Sequence, residues 1–305
     1  MVLEGVSIVF TISLQQAHTE QPTEIGSKAL HLSHLYEQGV QIPTGFVIKA
    51  QTLVEFMTTY QFDWQDAGFL EAFLAAPLPI NMAEEIIAAY QQLKYETGDE
   101  ALSVAVRSSS SAEDLEDASF AGQYDTILHV RTEQEVLQAV KQCWASVFSE
   151  HARDYATQKN ISLADFPMSV FVQQMVFADV SGVIFSMNPV TENRDELIIN
   201  ASYGLGEGIV SGLVTPDTFI VHKHTKAIDK DLGFKEMKLI AQSEGIIEVE
   251  TTTEEQNMYS LEDAMILEIE AITEKLEAFY SFAVDIEFAV KDNELFILQS
   301  RPITA

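Results

Sequence analysis

The chain has little cysteine, little positive charge and no long hydrophobic run. One cysteine, Cys143, among 305 residues excludes a disulfide within the chain. No apolar run approaches the roughly 20 residues that a membrane-spanning helix needs. The early apolar run from Val6 to Phe10 lacks the basic flank and cleavage site of a signal peptide, so a strand is expected there. These features favour a cytoplasmic protein that has no membrane partner.

The scarcity of positive charge is just as informative. The chain has 47 acidic and 17 basic residues, which gives a formal net charge of -30. Such a surface repels nucleic-acid phosphates, so a nucleic-acid partner is not expected. A hydrophobic content of 47% is ample for a folded core. In so acidic a chain, each arginine beside a loop or a carboxylate cluster is a candidate functional residue.

Residues 284–304 are predicted to form two strands joined by a polar turn. Side chains in a strand alternate between its two faces. Asp285 and Glu287 therefore point to one face, and Ile286 and Phe288 point to the other. This pattern separates polar chemistry from a hydrophobic core.

The turn of this hairpin decides which residues pair. A turn with an odd number of residues, 292–294, would place Glu287 opposite Gln299 and Asp285 opposite Arg301. Carboxylate and amide oxygens suit Mg²⁺, whose octahedron bound phosphates can complete. An arginine beside the metal suits a phosphate oxygen. The alternative is an edge hairpin with a salt-bridged solvent face.

Lys28 follows Gly26 at the start of a segment whose apolar residues, from Leu30 onward, recur at helical spacing until Gly39. A phosphate there could meet both a positive charge and free backbone amides. The alternative is a solvated surface lysine.

Arg107 ends an apolar strand and precedes four consecutive serines, 108–111. A flexible linker is the alternative, although a linker seldom follows a buried-type strand that ends in an arginine. Farther on, the small residues around Gly122 would let backbone amides approach a polyphosphate. A phosphate clamp is the interpretation that we favour.

A buried-type strand covers residues 168–176. Its end, 173–176, could be a hinge strand whose backbone contacts an adenine edge while Met175 packs on the ring. A plain core strand is the alternative. Capping patterns predict helix starts at three further places. They are 81–84, 132–135 and 260–263.

Several ordered motifs together resemble one family, the ATP-binding domain of phosphoenolpyruvate synthase, pyruvate phosphate dikinase and rifampicin phosphotransferase. The resemblance runs from Gly26 to Thr304 and is closest to the phosphoenolpyruvate synthase and rifampicin phosphotransferase branch. One departure is Ser27, where the family usually has a second glycine. The motifs are Arg107-Ser108-Ser109, Ser119-Phe120-Ala121-Gly122-Gln123, Val172-Gln173-Gln174-Met175-Val176, Gly204-Leu205-Gly206-Glu207 and Gln299-Ser300-Arg301-Pro302-Ile303-Thr304.

The resemblance implies an α+β, ATP-grasp fold with two lobes that clasp Mg-ATP. It implies one ATP-binding domain over 1–305, with approximate lobes at 1–175 and 176–305. It also implies a role for each matching residue. Lys28, Arg107 and Arg301 would hold phosphates during catalysis, Gly122 and Thr126 would lie over the polyphosphate, Gln173 and Met175 would meet the adenine, Glu287 and Gln299 would bind Mg²⁺, and Asp285 would join the metal site.

The family passes the β-phosphoryl group of ATP to a histidine on a separate carrier domain. None of the 7 histidines here lies in the sequence setting of that carrier. A phosphohistidine carrier domain and an acceptor-binding domain, in cis or in trans, are therefore the expected partners. The alternative function is a stand-alone nucleotide-binding regulatory module without transferase activity.

Overall fold

The computed structural model describes residues 9–110, 126–149, 168–242 and 245–303. These residues divide into two compact units. The first unit lies within 1–33 and 44–175, and the second lies within 34–43 and 176–305. The segment 34–43 thus groups with the second unit, whereas the sequence interpretation placed it in the first lobe. Mixed helices and sheets confirm the predicted α+β class.

The first unit contains a five-stranded antiparallel sheet in the order β1-β2-β5-β3-β4. Its strands are β1 (Thr11–Ser13), β2 (Gly45–Ile48), β3 (Val104–Ser109), β4 (Thr126–Val130) and β5 (Ser169–Gln174). Its helices are α1 (Pro22–Glu37, which ends in the second unit), α2 (Ala50–Tyr60), α3 (Phe69–Ala75), α4 (Ile80–Thr97) and α5 (Glu133–Ser146). A 3₁₀ helix, Leu14–Thr19, precedes α1.

One face of this sheet packs against α2 to α5. Val106 and Val172 lie in that core together with Trp144 and Cys143. The Trp144 ring stacks on Phe56 with centroids 5.8 Å apart. The Cys143 thiol is buried, as a core position on the stripe of α5 requires. The opposite face of the sheet is therefore the one that can present polar side chains.

The helix starts were predicted with mixed success. The capping box of Thr132 and Glu135 is present at the start of α5, as predicted. The prediction at 81–84 is wrong, because Pro79 is the N-cap residue and α4 already begins at Ile80. The prediction at 260–263 is also wrong, because the helix in that region begins at Asp263 and has no side-chain cap.

Helix α1 is broken at Gly26, whose φ is 73°. A Cβ atom added there would lie 2.3 Å from the carbonyl carbon of Ser109. The Ser109 hydroxyl also donates to the Ile25 carbonyl at 3.1 Å. Glycine at this position therefore lets the helix start and the end of β3 approach each other closely.

We predict that Gly26→Ala destabilises the fold far more than Gly98→Ala. Both glycines have positive φ, but a Cβ at Gly98 would meet nothing within 4 Å. The control should lose roughly 1–2 kcal/mol for the left-handed backbone. The Gly26 variant adds a backbone clash and should lose on the order of 3 kcal/mol or more. Urea unfolding measures both, and equal losses would contradict the close packing described here.

The second unit contains a six-stranded sheet in the order β13-β12-β6-β7-β8-β9 and a separate hairpin of β10 and β11. Its strands are β6 (Val180–Phe185), β7 (Glu196–Tyr203), β8 (Asp217–His222), β9 (Ala227–Asp231), β10 (Met237–Gln242), β11 (Gly245–Glu250), β12 (Val284–Lys291) and β13 (Glu294–Pro302). Its helices are α6 (Glu207–Val210), α7 (Thr253–Asn257) and α8 (Asp263–Tyr280).

Helix α8 buries Ile266, Ile269 and Leu276. Lysines of the β8–β9 hairpin pair with the acidic side of this helix. Lys223 contacts Glu277 at 2.7 Å. These pairs use part of the scarce positive charge to fix the hairpin on the helix.

In the part of the chain that the structure describes, no single helix is long and apolar enough to cross a membrane. Only α3 and α4 taken together, which form a bent pair, have such a length and composition.

Candidate functional site

In the first unit, strand register collects predicted site residues on one face of the sheet. Ala105 pairs with Gln173 across β3 and β5, and Arg107 pairs with Thr126 across β3 and β4. Directly paired residues point the same way, and Ala105 and Arg107 share a face because they are two residues apart. An Arg107 guanidinium nitrogen donates to Gln173 Oε1 at 3.3 Å. Arg107, Gln173 and Thr126 thus lie together, opposite the buried face that Val106 occupies.

Lys28 joins this group from α1. Its Nζ donates to the carbonyl oxygen of Ser108 at 3.1 Å, one residue beyond Arg107. The hydroxyl of Ser27 donates to the carbonyl of Ser110 at 3.4 Å, so serine at this departure from the family contributes a contact of its own. The predicted lysine and the start of the serine run are therefore adjacent.

Gly122 and the loop around it lie outside the described residues. Thr126, at the other end of that loop, begins β4 and is exposed.

The end of β5 is bonded into the sheet through its backbone. The amide of Gln174 donates to Thr44 at 2.8 Å, and the amide of Met175 donates to Ser103 at 2.9 Å. These two N–H groups are used within the unit. Any contact of residues 173–176 with a base must therefore come from carbonyls, side chains or the other two amides.

In the second unit, the turn of the β12–β13 hairpin differs from the prediction. Lys291 pairs with Glu294, so the turn has two residues and not the odd number expected at 292–294. Asp292 and Asn293 have φ values of 52° and 62°. Two consecutive left-handed residues define the tight hairpin turn whose twist matches that of the strands.

A β-bulge nevertheless produces the predicted pairing. Glu287 pairs with Gln299, whereas the adjacent Phe288 pairs with Ile297, so Leu298 is the extra residue. A bulge shifts the register by one place. The shift offsets the even-numbered turn, and the predicted pairs are confirmed for a different physical reason.

Asp285 and Arg301 form the second predicted pair. Arg301 donates from Nε and Nη2 to one carboxylate oxygen of Asp285, at 2.8 and 2.6 Å. Asp285 is only 8% exposed. Burial raises the pKa of its carboxyl, and the opposing attraction of Arg301 does not offset this. The charge of Glu287 adds to the rise.

Gln299 is the most informative of the four predicted residues of this hairpin, which are Asp285, Glu287, Gln299 and Arg301. Its side chain is buried at 7% exposure, and its Oε1 has no hydrogen-bond partner among the described residues. A buried carbonyl oxygen without a partner is costly, which suits an atom that accepts from a ligand or coordinates a cation. Glu287 lies directly across the strand from it. Among the described residues, no group of three or more His, Cys, Asp or Glu side chains converges.

The same row of the sheet contains a polar pair that the sequence interpretation missed. Val183 pairs with Glu287 on one side and with Asn200 on the other. Asn200 pairs with Thr218, whose hydroxyl donates to the Asn200 side chain at 3.0 Å. At about 4.8 Å per strand, Asn200 lies roughly 10 Å from Glu287. An asparagine inside an apolar strand is the signal that could have marked it.

We predict that Asp285→Asn becomes more stable relative to the wild type as pH rises. A carboxyl with a raised folded pKa binds its proton more tightly in the folded state, so its contribution to stability falls as pH rises from the unfolded pKa of about 3.9 toward the folded one. Asparagine does not titrate. Urea unfolding of both proteins across this window measures the difference, and a constant or opposite trend would show that Arg301 outweighs burial.

The profile of the family described as "Pyruvate phosphate dikinase, AMP/ATP-binding domain" matches residues 22–305. The chain therefore belongs to this family, as the sequence motifs predicted. Membership supports ATP as the ligand, as the resemblance implied.

Three curated relatives are consistent with this family assignment. An uncharacterized phosphotransferase, YvkC, of Bacillus subtilis is 40% identical over 97% of this chain and 35% of its own length. A rifampicin phosphotransferase of Bacillus cereus is 34% identical over 97% of this chain and 36% of its own length. A phosphoenolpyruvate synthase of Pyrococcus furiosus is 43% identical over 74% of this chain and 29% of its own length. The chain thus spans about a third of the length of these relatives.

Proposed function

We propose that this chain is the Mg-ATP-binding, phosphoryl-donating part of a phosphoenolpyruvate synthase-like or rifampicin phosphotransferase-like enzyme. The observation that carries the proposal is strand register in each unit. It places Arg107 beside Gln173 in the first unit and Glu287 beside Gln299 in the second. Each pair combines a charged side chain with an amide. The first pair suits a phosphate, and the second suits a divalent metal.

The first unit would bind the base and the phosphates. Lys28 and Arg107 supply the positive charges, and Gln173 orients the guanidinium. The chain's formal charge of -30 makes these local cations essential for attracting a polyanion.

The second unit would hold the metal. Glu287 supplies a carboxylate oxygen and Gln299 the buried Oε1 described above, both hard oxygen donors that suit Mg²⁺. When bound, the metal neutralises charge that develops on the transferring phosphoryl group. Asp285, predicted as a further ligand, holds Arg301 through two hydrogen bonds. We assign Asp285 the role of orienting that arginine toward a phosphate.

The β-phosphoryl group would pass to a histidine on a separate carrier domain, with AMP as the leaving group and the γ-phosphoryl group released to water as orthophosphate. An acceptor-binding domain would complete the reaction. Relatives about three times the length of this chain support such partners. The alternative of a regulatory module without transferase activity has no support from the relatives.

We predict that Mg-ATP stabilises the wild-type chain by about 2.7 kcal/mol at a hundred times its Kd. Glu287→Gln should lose the magnesium-dependent part of this stabilisation. The stability of this variant without ligand should change little, because the substitution replaces the Glu287 carboxylate with an amide of the same shape. Thermal melts with ATP, with and without Mg²⁺, measure the effect.

Glu294→Gln is the matched control. It removes one carboxylate from the same hairpin, next to the turn, where Glu294 accepts from Gln41 at 3.1 Å. This variant should respond to Mg-ATP like the wild type. If the two variants respond alike, or if the wild type does not respond at all, the assignment of the metal site is wrong.

We predict that Arg107→Lys slows phosphoryl transfer more than it weakens ATP binding. Lysine keeps the charge but loses the planar fork that can bind two oxygens of a group whose charge develops during transfer. A decrease of about tenfold or more in the single-turnover rate is expected, with a smaller change in ATP affinity. The assay supplies a carrier domain in trans and ATP labelled at the β-phosphorus.

Arg131→Lys provides the control, since Arg131 follows β4 and lies outside the predicted site. Its rate and affinity should match those of the wild type. Equal rates for the Arg107 and Arg131 variants would favour the linker interpretation of the serine run.

A further inference from the structure

A histidine that the sequence interpretation passed over lies beside the end of β5. His129 is in β4 and has a φ of 60°, in the left-handed region. Val104 pairs with Val130, and Val106 pairs with Ile127, so two residues of β4 stand opposite one residue of β3. This is a β-bulge, which re-aims a side chain away from the normal pleat. The bulge presents His129 toward the start of β3.

The residue that His129 meets there is Ser103. Ser103 is 3% exposed, and its hydroxyl lies 3.1 Å from His129 Nδ1. The same hydroxyl donates to Met175 Sδ at 3.8 Å, and the Ser103 carbonyl accepts from the Met175 amide at 2.9 Å. Met175 is therefore held through both its backbone and its side chain by one serine that His129 contacts.

This chain of contacts crosses three neighbouring strands, in the order β4, β3, β5. Thioether side chains are flexible, and they pack favourably on aromatic rings when their position is fixed. Ser103 immediately precedes β3 and is four residues from Arg107, so the strand alternation, continued by one residue, places both side chains on the same face. The arrangement thus lies along the strand from the proposed phosphate clamp.

We propose that Ser103 and His129 are positioning residues that fix Met175 and its backbone beside the base of a purine nucleotide. A carbonyl of residues 173–176 would then accept from the adenine amino group but not from the guanine carbonyl, and this sets the preference for adenine over guanine. The inference rests on the proposed function and on the sequence expectation that Met175 meets the base. His129 and Ser103 do not touch the nucleotide in this account. They act through the methionine, and their removal should alter base selectivity while leaving phosphate binding intact.

The test measures the affinity of the chain for ATP, GTP and inorganic tripolyphosphate by calorimetry. His129→Ala and Ser103→Ala should each lower the ratio of ATP to GTP affinity by on the order of tenfold, the effect of one net hydrogen bond. Tripolyphosphate affinity should not change. His129→Asn should restore most of the ratio, because asparagine tolerates a left-handed φ and still offers a polar group.

Gln61→Ala is the control for backbone conformation. Gln61 also has a positive φ, 53°, but caps the end of α2. Its ATP to GTP ratio should stay at the wild-type value. Stability without ligand is measured for every variant, and Ser103→Ala and His129→Asn keep the test decisive if His129→Ala fails to fold.

A Met175→Leu background shows whether Ser103 and His129 act through Met175. In Met175→Leu, which keeps apolar volume but removes the sulfur, adding His129→Ala should change the ratio no further. An additive decrease would overturn the positioning role. A wild-type chain that binds ATP, with variants of unchanged ratio, would overturn this inference alone. A wild-type chain that binds no nucleotide would overturn the proposed function as well.

Discussion

Antiparallel strand register is the constraint on which the candidate site depends. A slip of one residue would move every side chain of a strand to the opposite face. In the first unit, the pairing of β3 with β5 sets Arg107 against Gln173 while Val106 and Val172 stay in the core. In the second unit, the bulge at Leu298 sets Glu287 against Gln299. Each core therefore holds its functional face in place, because slippage would expose buried valines and bury charges.

The few positive charges of the chain have different roles in the two units. Lys235 and Asp217 form a fully buried ion pair, at 0% exposure for both side chains. The Asp217 carboxylate also accepts from the backbone amides of Gly233 and Ser260, at 2.9 and 2.7 Å. Such pairs require further hydrogen bonds to offset desolvation. Arg107 donates to the amide oxygen of Gln173 at 3.3 Å, and this contact orients its guanidinium group.

Much of the fold class and of the candidate site could be predicted from the sequence, because alternation and turn residues are local signals. The β12–β13 hairpin and its face are examples. The bulge that sets this register could not be predicted, because Leu298 in an apolar strand gives no sequence signal of a bulge. His129 was missed for a similar reason. A histidine in a strand pattern gives no sign that its backbone is left-handed or that Ser103 lies opposite.

Helix starts failed where tertiary contacts outweighed local capping. The backbone amide of Ser260 donates to the buried carboxylate of Asp217, so this serine belongs to that network and α8 begins later, at Asp263. Met82, within the predicted cap of α4, is fully buried in the core. Local capping energies of about 1 kcal/mol do not decide such positions.

The central claim is that this chain donates the β-phosphoryl group of ATP. Its most direct test follows the origin of the phosphorus, with ATP labelled at either the β or the γ position and a separately produced phosphohistidine carrier domain. The account predicts that the β label remains on the carrier histidine, that AMP is the nucleotide product, and that the γ label is released as orthophosphate when water cleaves the β–γ link. Transfer of the γ label with formation of ADP, or no transfer from a chain that binds Mg-ATP, would contradict it.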